Sequence, residues 1–281
     1  MRRSPRSPLT AYRLSRIARV AATAFAATVV ACAQPPVVWD AAVTTSGTTL
    51  PGRLQLNGDD AHFTADTAAL IAPAIPGACP GSERVALSGA SGAERYVVWW
   101  APRADSSATL LSARSTDGGR SWSTPEAVDT ADHHRLGCNR PAAAVVADSS
   151  TGYVHVAYSM RDAQGAGVFF SHSMEHGRMF HWPVTIMYGD RLTDVAIAAH
   201  GDTVAVAYVD PGSDHPELGL ALSHTMGHIF ENRLMVPSSS DASDPAVAIA
   251  PGRLAVAWVH RVPDGETSVM MRVARFGALA R

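Results

Sequence analysis

Side chains able to do chemistry recur along this sequence at intervals and do not gather in one motif. Asp194 and Asp244 each open a short Ala/Val run, and Asn139 lies close to the same point of an earlier run. Carboxylates at such entrances can serve as acid and base on a glycosidic bond or bind a cation, and they equally serve to cap a turn through Asx hydrogen bonds. Arg140, in Asn139-Arg140-Pro141, stands at one entrance, and Arg84, Arg191 and Arg261 stand near others. Guanidinium groups suit bidentate recognition of a carboxylate, while as solvated loop charges they need no ligand. Asp194, Asp244 and Arg140 are thus the catalytic candidates, and Asn139, Arg140, Arg191, Arg261 and the loop pair His133 and His134 the binding candidates. Two segments read His-x-Met-x-His: His172, Met174, His176 and His224, Met226, His228. Alternate strand residues share a face, and imidazole with thioether is a soft donor set for copper or, less selectively, zinc. The same residues in tight turns need no metal.

The elements that must position these groups form a repeat. Aromatic-rich apolar segments begin at Tyr96, Tyr153, Val204 and Leu254, roughly 50 residues apart, a period of propellers and solenoids. Each follows a short run (84–87, 141–146, 194–198, 244–250) and precedes a third (109–113, 167–171, 218–223, 268–274), and three units add a fourth (124–128, 183–187, 233–236). Four short strands joined by Gly/Asp turns make a propeller blade. The last unit ends near Phe276 without a fourth strand, while an orphan run, Val37 to Val43, stands far upstream. The expectation is an all-β propeller of four or five four-stranded blades closed by this N-terminal strand, with 44–80 irregular or a degenerate blade.

The turn Ser115-Thr116-Asp117-Gly118-Gly119-Arg120-Ser121-Trp122 matches the Asp-box pattern Ser-x-Asp-x-Gly-x-Ser/Thr-Trp. Degenerate copies stand in phase at Ser173 to Phe180 and Ser223 to Phe230. On these residues, 83–276 resembles the sialidase-like propeller superfamily. In such a turn Ser115, Asp117, Gly119 and Trp122 staple the hairpin and do no catalysis. The same register puts Cys79 and Cys138 ahead of the first strands of successive units, which predicts a disulfide between them. The resemblance also implies a sialidase set of three arginines, a Tyr/Glu pair and an acid/base Asp. Its Arg-Ile-Pro motif is absent and no Tyr/Glu pair stands out, which favours a glycan-binding role over an exo-acting glycosidase; a scaffold for envelope proteins is a further alternative.

The remaining sequence sets location. Arg2, Arg3, Arg6, Arg13, Arg16 and Arg19 precede the apolar stretch Val20 to Ala31, the form of an export signal. Val29-Val30-Ala31-Cys32 resembles a bacterial lipobox, which implies acylation of Cys32 and a membrane partner; an ordinary signal cleaved near Ala33 is the alternative. The expected organisation is a signal peptide at 1–31, a linker at 32–36 and the propeller at 37–281, with Gln34 favouring the outer membrane. A net charge of -2 with no basic cluster beyond the leader excludes a nucleic-acid footprint, and no cofactor is implied.

Overall fold

A computed structural model describes residues 36–45, 52–57, 60–65, 73–88, 92–148, 151–261 and 267–276. Cys32 and the leader lie outside them. The described residues form four antiparallel blades. Blade one comprises β5 (Arg84–Ser88), β6 (Glu94–Pro102), β7 (Ala108–Ser115) and β8 (Glu126–Asp129); before it come β1 (Val37–Trp39), β2 (Val43–Thr45), β3 (Gly52–Asn57) and β4 (Asp60–Ala65). Blade two is β9 (Ala144–Asp148), β10 (Tyr153–Arg161), β11 (Ala166–Ser173) and β12 (Val184–Gly189). Blade three is β13 (Val195–His200), β14 (Thr203–Val209), β15 (Leu218–Ser223) and β16 (Asn232–Met235). Blade four is β17 (Ala242–Ala250), β18 (Arg253–Arg261) and β19 (Thr267–Phe276), completed by β1.

β1 closes blade four as its outer strand, with Val37 opposite Phe276 and Trp39 opposite Ala274. The orphan run does not continue as one strand. It breaks after Trp39, and β2 resumes further along the same edge, with Val43 opposite Met271. Between them the Asp40 N–H donates to the Val273 carbonyl, and Arg272 Nε donates to the Asp40 carbonyl. Strands from near both ends of the described residues are thereby tied into one sheet, and the edge of β19 is covered by β1 and β2.

The innermost strands β5, β9, β13 and β17 pack side by side in that order. All begin at the same end of the propeller, here called the upper face. Because neighbouring strands are antiparallel, the turns joining third to fourth strands (116–125, 174–183 and 224–231) lie on the lower face. Core side chains fill the gaps between sheets. Tyr96, Val98 and Trp100 of blade one meet Val154, Val156 and Tyr158 of blade two; Phe170 and Ala157 meet Val204 and Val206; Leu220 and Leu222 meet Val256 and Trp258. The stretch 44–80, expected to be irregular or a degenerate blade, contributes the two-stranded hairpin β3–β4, whose Leu54 and Leu56 pack on Ala248, Ala255 and Ala257 of blade four. Ile75 and Ala78 cover Val97 and Trp99 on the outer side of blade one.

The expected disulfide is present, Cys79 to Cys138 with Cα atoms 5.1 Å apart. It links the approaches to β5 and β9 and, closing a loop of about 60 residues, would constrain the unfolded chain by about 4 kcal/mol in the chain-entropy account.

The lower-face turns share one hydrogen bond. The N–H groups of Gly119, Gly177 and Gly227 donate to the hydroxyls of Ser115, Ser173 and Ser223, each four residues back, at 2.8, 3.0 and 3.0 Å. The Asp117 carboxylate also accepts the N–H groups of Arg120 and Ser121 and the Ser121 hydroxyl. Chiefly through that hydroxyl, its pKa lies well below the usual carboxylate range. In blade three the Thr225 hydroxyl does part of this work by accepting the Ile229 N–H at 3.0 Å.

The turn glycines also touch the preceding blade. A Cβ on Gly227 (φ 87°) would stand 2.3 Å from the Phe170 ring, whereas one on Gly118 (φ 77°) would meet nothing within 4 Å. Left-handed strain is common to both, about 1–2 kcal/mol for a non-glycine residue. Gly227→Ala should therefore lower stability by about 1–3 kcal/mol more than Gly118→Ala, the added cost of overpacking. Parallel urea titrations of the two variants check this, and equal losses would mean that Phe170 yields freely.

Candidate functional site

Four inner strands starting at one end bring their entrances together, so the upper face is where separated residues can meet. Arg84 opens β5, Asp194 stands one residue before β13, and Asp244 lies near the start of β17. These three, from blades one, three and four, are in electrostatic contact: Asp194 feels both Asp244 and Arg84. Asp194 is exposed to solvent. Partial desolvation of its carboxyl by the surrounding protein nonetheless raises its pKa, the charge of Asp244 raises it further, and Arg84 opposes the rise. Arg84 is held by Nη1 donating to the carbonyls of Gly81 (2.9 Å) and Glu83 (2.8 Å).

Asp244 is aimed by its backbone. It has φ 48°, in the left-handed region, where the pairing of β17 with β18 skips between Ser243 and Ala246. Ser238 and Asp241, just upstream, also have positive φ. Irregularities of this kind redirect side chains and gather at ligand sites.

The remaining candidates are dispersed. Arg140 does not face the channel as a binding or catalytic residue. Its side chain is wholly buried and pairs with Asp132, Nη1 to Oδ2 at 2.7 Å. It also donates to the carbonyls of Gly137 and His134 and lies over the Trp100 ring, 5.1 Å from the centroid. Asp132 in turn accepts the Ala108 N–H. A guanidinium beside Cys138 and ahead of Pro141 is drawn inward because it can satisfy a buried carboxylate and two loop carbonyls at once. Asn139 and His133 are exposed on the upper face, and the His134 N–H donates to Asp132. Arg191 ties its loop to the carbonyls of Asp210 and Ser213, and Arg261 is exposed at the end of β18.

The two His-x-Met-x-His segments do not form a common donor set. They lie in lower-face turns, where the residues of each diverge. His176 faces Glu94 at 3.3 Å, His224 faces Glu231 at 3.9 Å, and Met174 is exposed. The turn, not strand alternation, decides where they point. His172 and His228 instead join a cluster between blades two and three with Tyr153, His155, Phe170 and His181. The His172 and His181 rings stack at 23° with centroids 4.8 Å apart, an arrangement of face contact and not of converging nitrogens. Among the described residues no group of three His, Cys, Asp or Glu could hold a metal ion.

Sequence reasoning passed over His155 and His181. A histidine inside the apolar run Tyr153 to Tyr158 was the available signal. His155 is fully buried, with no hydrogen-bond partner for either ring nitrogen among the described residues.

No family model matches the sequence, and no curated protein matches it. Among solved structures, a protein of unknown function from Dyadobacter fermentans superposes with a TM-score of 0.50 at 16% identity over 68% of this chain and 52% of its own. The chain thus spans about half the length of that protein. The phage phi92 endosialidase gives 0.48 at 9% identity over 79% and 40% of the two chains, and the Trypanosoma rangeli sialidase 0.43 at 13% over 64% and 33%. At such identities the likeness is one of fold.

Burial lowers the pKa of His155 to about 3 and of His172 to about 4, helped by neighbouring imidazoles. Both are neutral in the folded state but free to protonate in the unfolded chain near 6.5. Their contribution to stability is therefore complete above pH 6.5 and lost as pH falls through 6.5 toward 4 and 3. Asp129, whose pKa burial raises, acts oppositely in the acid range. Melting temperature should fall on acidification from pH 7 to 5, and less steeply in His155→Leu. An unchanged slope in that variant would clear His155 of the effect.

Proposed function

We propose that the protein is a lipid-anchored propeller of the bacterial envelope that binds a glycan at the upper mouth of its axial channel. The observation that carries this reading is the placing of Arg84, Asp194 and Asp244 at the inner-strand entrances of three different blades, within electrostatic reach of Asp194. Carboxylates accept from adjacent hydroxyls, and a guanidinium donates in a fixed fork, so the set suits a polyhydroxylated ligand. The Asp-box resemblance of Ser115 to Trp122 adds support for carbohydrate, and the lipobox resemblance ending at Cys32 supports the anchor. Gln34 favours the outer membrane within that reading.

One observation favours a hydrolytic variant of the same site. Asp194 is pushed toward holding its proton by burial and by Asp244, the property required of a general acid, while Asp244 would supply the second carboxylate. Its proton would pass to the glycosidic oxygen as the bond to the sugar carbon breaks, with water or Asp244 attacking that carbon.

The test is calorimetric titration with sialic acids, uronic acids and neutral oligosaccharides, alongside hydrolysis of fluorogenic glycosides. Asp194→Asn and Arg84→Ala should each weaken the best ligand about tenfold or more, the scale of a hydrogen bond to a charged group. Turnover abolished by Asp194→Asn would make the site an active site; binding without turnover supports a lectin-like module. Affinity untouched by either substitution would place the ligand elsewhere.

A further inference from the structure

Among the described residues, the three most exposed large apolar side chains are Trp182 (94%), Ile229 (61%) and Met179 (56%). All three belong to lower-face turns, Met179 and Trp182 in blade two and Ile229 in blade three. Met174, also exposed, lies in the same turn as Met179. The two turns are neighbours, for the rings of His181 and His228, beside Trp182 and Ile229, have centroids 6.5 Å apart. The blade-three turn in turn reaches the end of blade four, where the His224 and Phe276 rings lie 5.9 Å apart. Phe276 is paired with Val37, the first residue of β1. The exposed apolar side chains and the start of β1 are therefore on one face.

Chain length adds a constraint. Val37 is five residues beyond Cys32, and an extended chain spans at most ~3.6 Å per residue. An acylated Cys32 would hold the start of β1, and with it the lower face, within about 18 Å of the lipid. An exposed tryptophan flanked by aliphatic side chains is suited to the headgroup boundary, where an amphipathic ring meets both apolar and wet surroundings.

We propose that the lower face rests on a lipid bilayer, with Trp182, Met179 and Ile229 dipping into its interface beside the anchored Cys32. The upper mouth, with Arg84, Asp194 and Asp244, then faces away from the membrane toward soluble or distant ligands. This orientation rests on the lipid-anchor reading of Cys32, and the test separates the two.

The full chain, produced with its leader and extracted from membranes, is reconstituted into phosphatidylcholine and phosphatidylglycerol vesicles with brominated acyl chains, which quench tryptophan at short range. Emission should fall relative to unbrominated vesicles, and Trp182→Phe should remove at least half of that quenching. Intact mass reports the state of Cys32. An unacylated Cys32 defeats the anchor and the orientation together. An acylated protein whose emission ignores bromine, or whose quenching survives Trp182→Phe, defeats the orientation alone. Shielding of Trp182 from acrylamide without bromolipid quenching would place another protein on this face and also overturn the proposal.

Discussion

A four-stranded sheet with apolar side chains on both faces has no side it can leave in water, and most of this architecture follows from that constraint. In β10, Val154, Val156 and Tyr158 point to blade one while Ala157 points to blade three, and all four are buried. Neither surface can be covered from within the blade, so each sheet requires a neighbour on either side. The abundance of Ala and Val at these positions lets sheets approach closely, and the occasional large ring, such as Trp100 edge-on to Tyr158 at 6.1 Å, fills what remains. Where no full blade follows, substitutes appear: the β3–β4 hairpin covers blade four, and Ile75 with Ala78 covers blade one.

Stacking alone does not fix how neighbouring blades meet. The lower-face turns of blades two and three do so, because the glycine of each lies against an aromatic ring of the preceding blade, Gly177 on Tyr96 and Gly227 on Phe170. The Ser115, Ser173 and Ser223 hydroxyls hold the turns in the shape that allows this contact. Since that one bond is sufficient to bring the glycine into place, the carboxylate of Asp117 can be replaced by the Thr225 hydroxyl without loss of the turn. The decay visible in the second and third copies is thus decay of the accessory bonds.

The blades, the closing strand and the disulfide were legible because each is a matter of phase. Strands, turns and cysteines that recur in step must occupy equivalent places, whatever their side chains do there. Side-chain direction is not a matter of phase, and there the sequence was a poorer guide. Arg140 and Arg84 both stand near inner-strand entrances, yet Arg140 turns inward to Asp132 while Arg84 stays at the mouth. What separates them is a carboxylate in a loop folded back by the disulfide, which no spacing announces. Asp244 was legible as a position but not as a strained one, since its left-handed backbone arises from a skipped pair in β17. His155 was hidden because a histidine in an apolar run reads as a gap in a strand, not as the centre of an imidazole cluster.

These constraints divide the two faces. On the lower face, turn hydroxyls and the Asp117 carboxylate are committed to backbone N–H groups, and Gly177 and Gly227 are committed to neighbouring rings, so these groups serve the scaffold. On the upper face, the disulfide and the buried Arg140–Asp132 pair stiffen the approach between blades one and two, yet neither occupies the mouth. The inner strands of blades three and four place Asp194 and Asp244 at that end, in a setting that raises the pKa of Asp194. Holding that carboxyl between burial, Asp244 and Arg84 serves no evident purpose in stacking blades. The groups at the mouth are dispensable to the scaffold in a way that Arg140 is not, and this makes them the part of the molecule free to answer to a ligand.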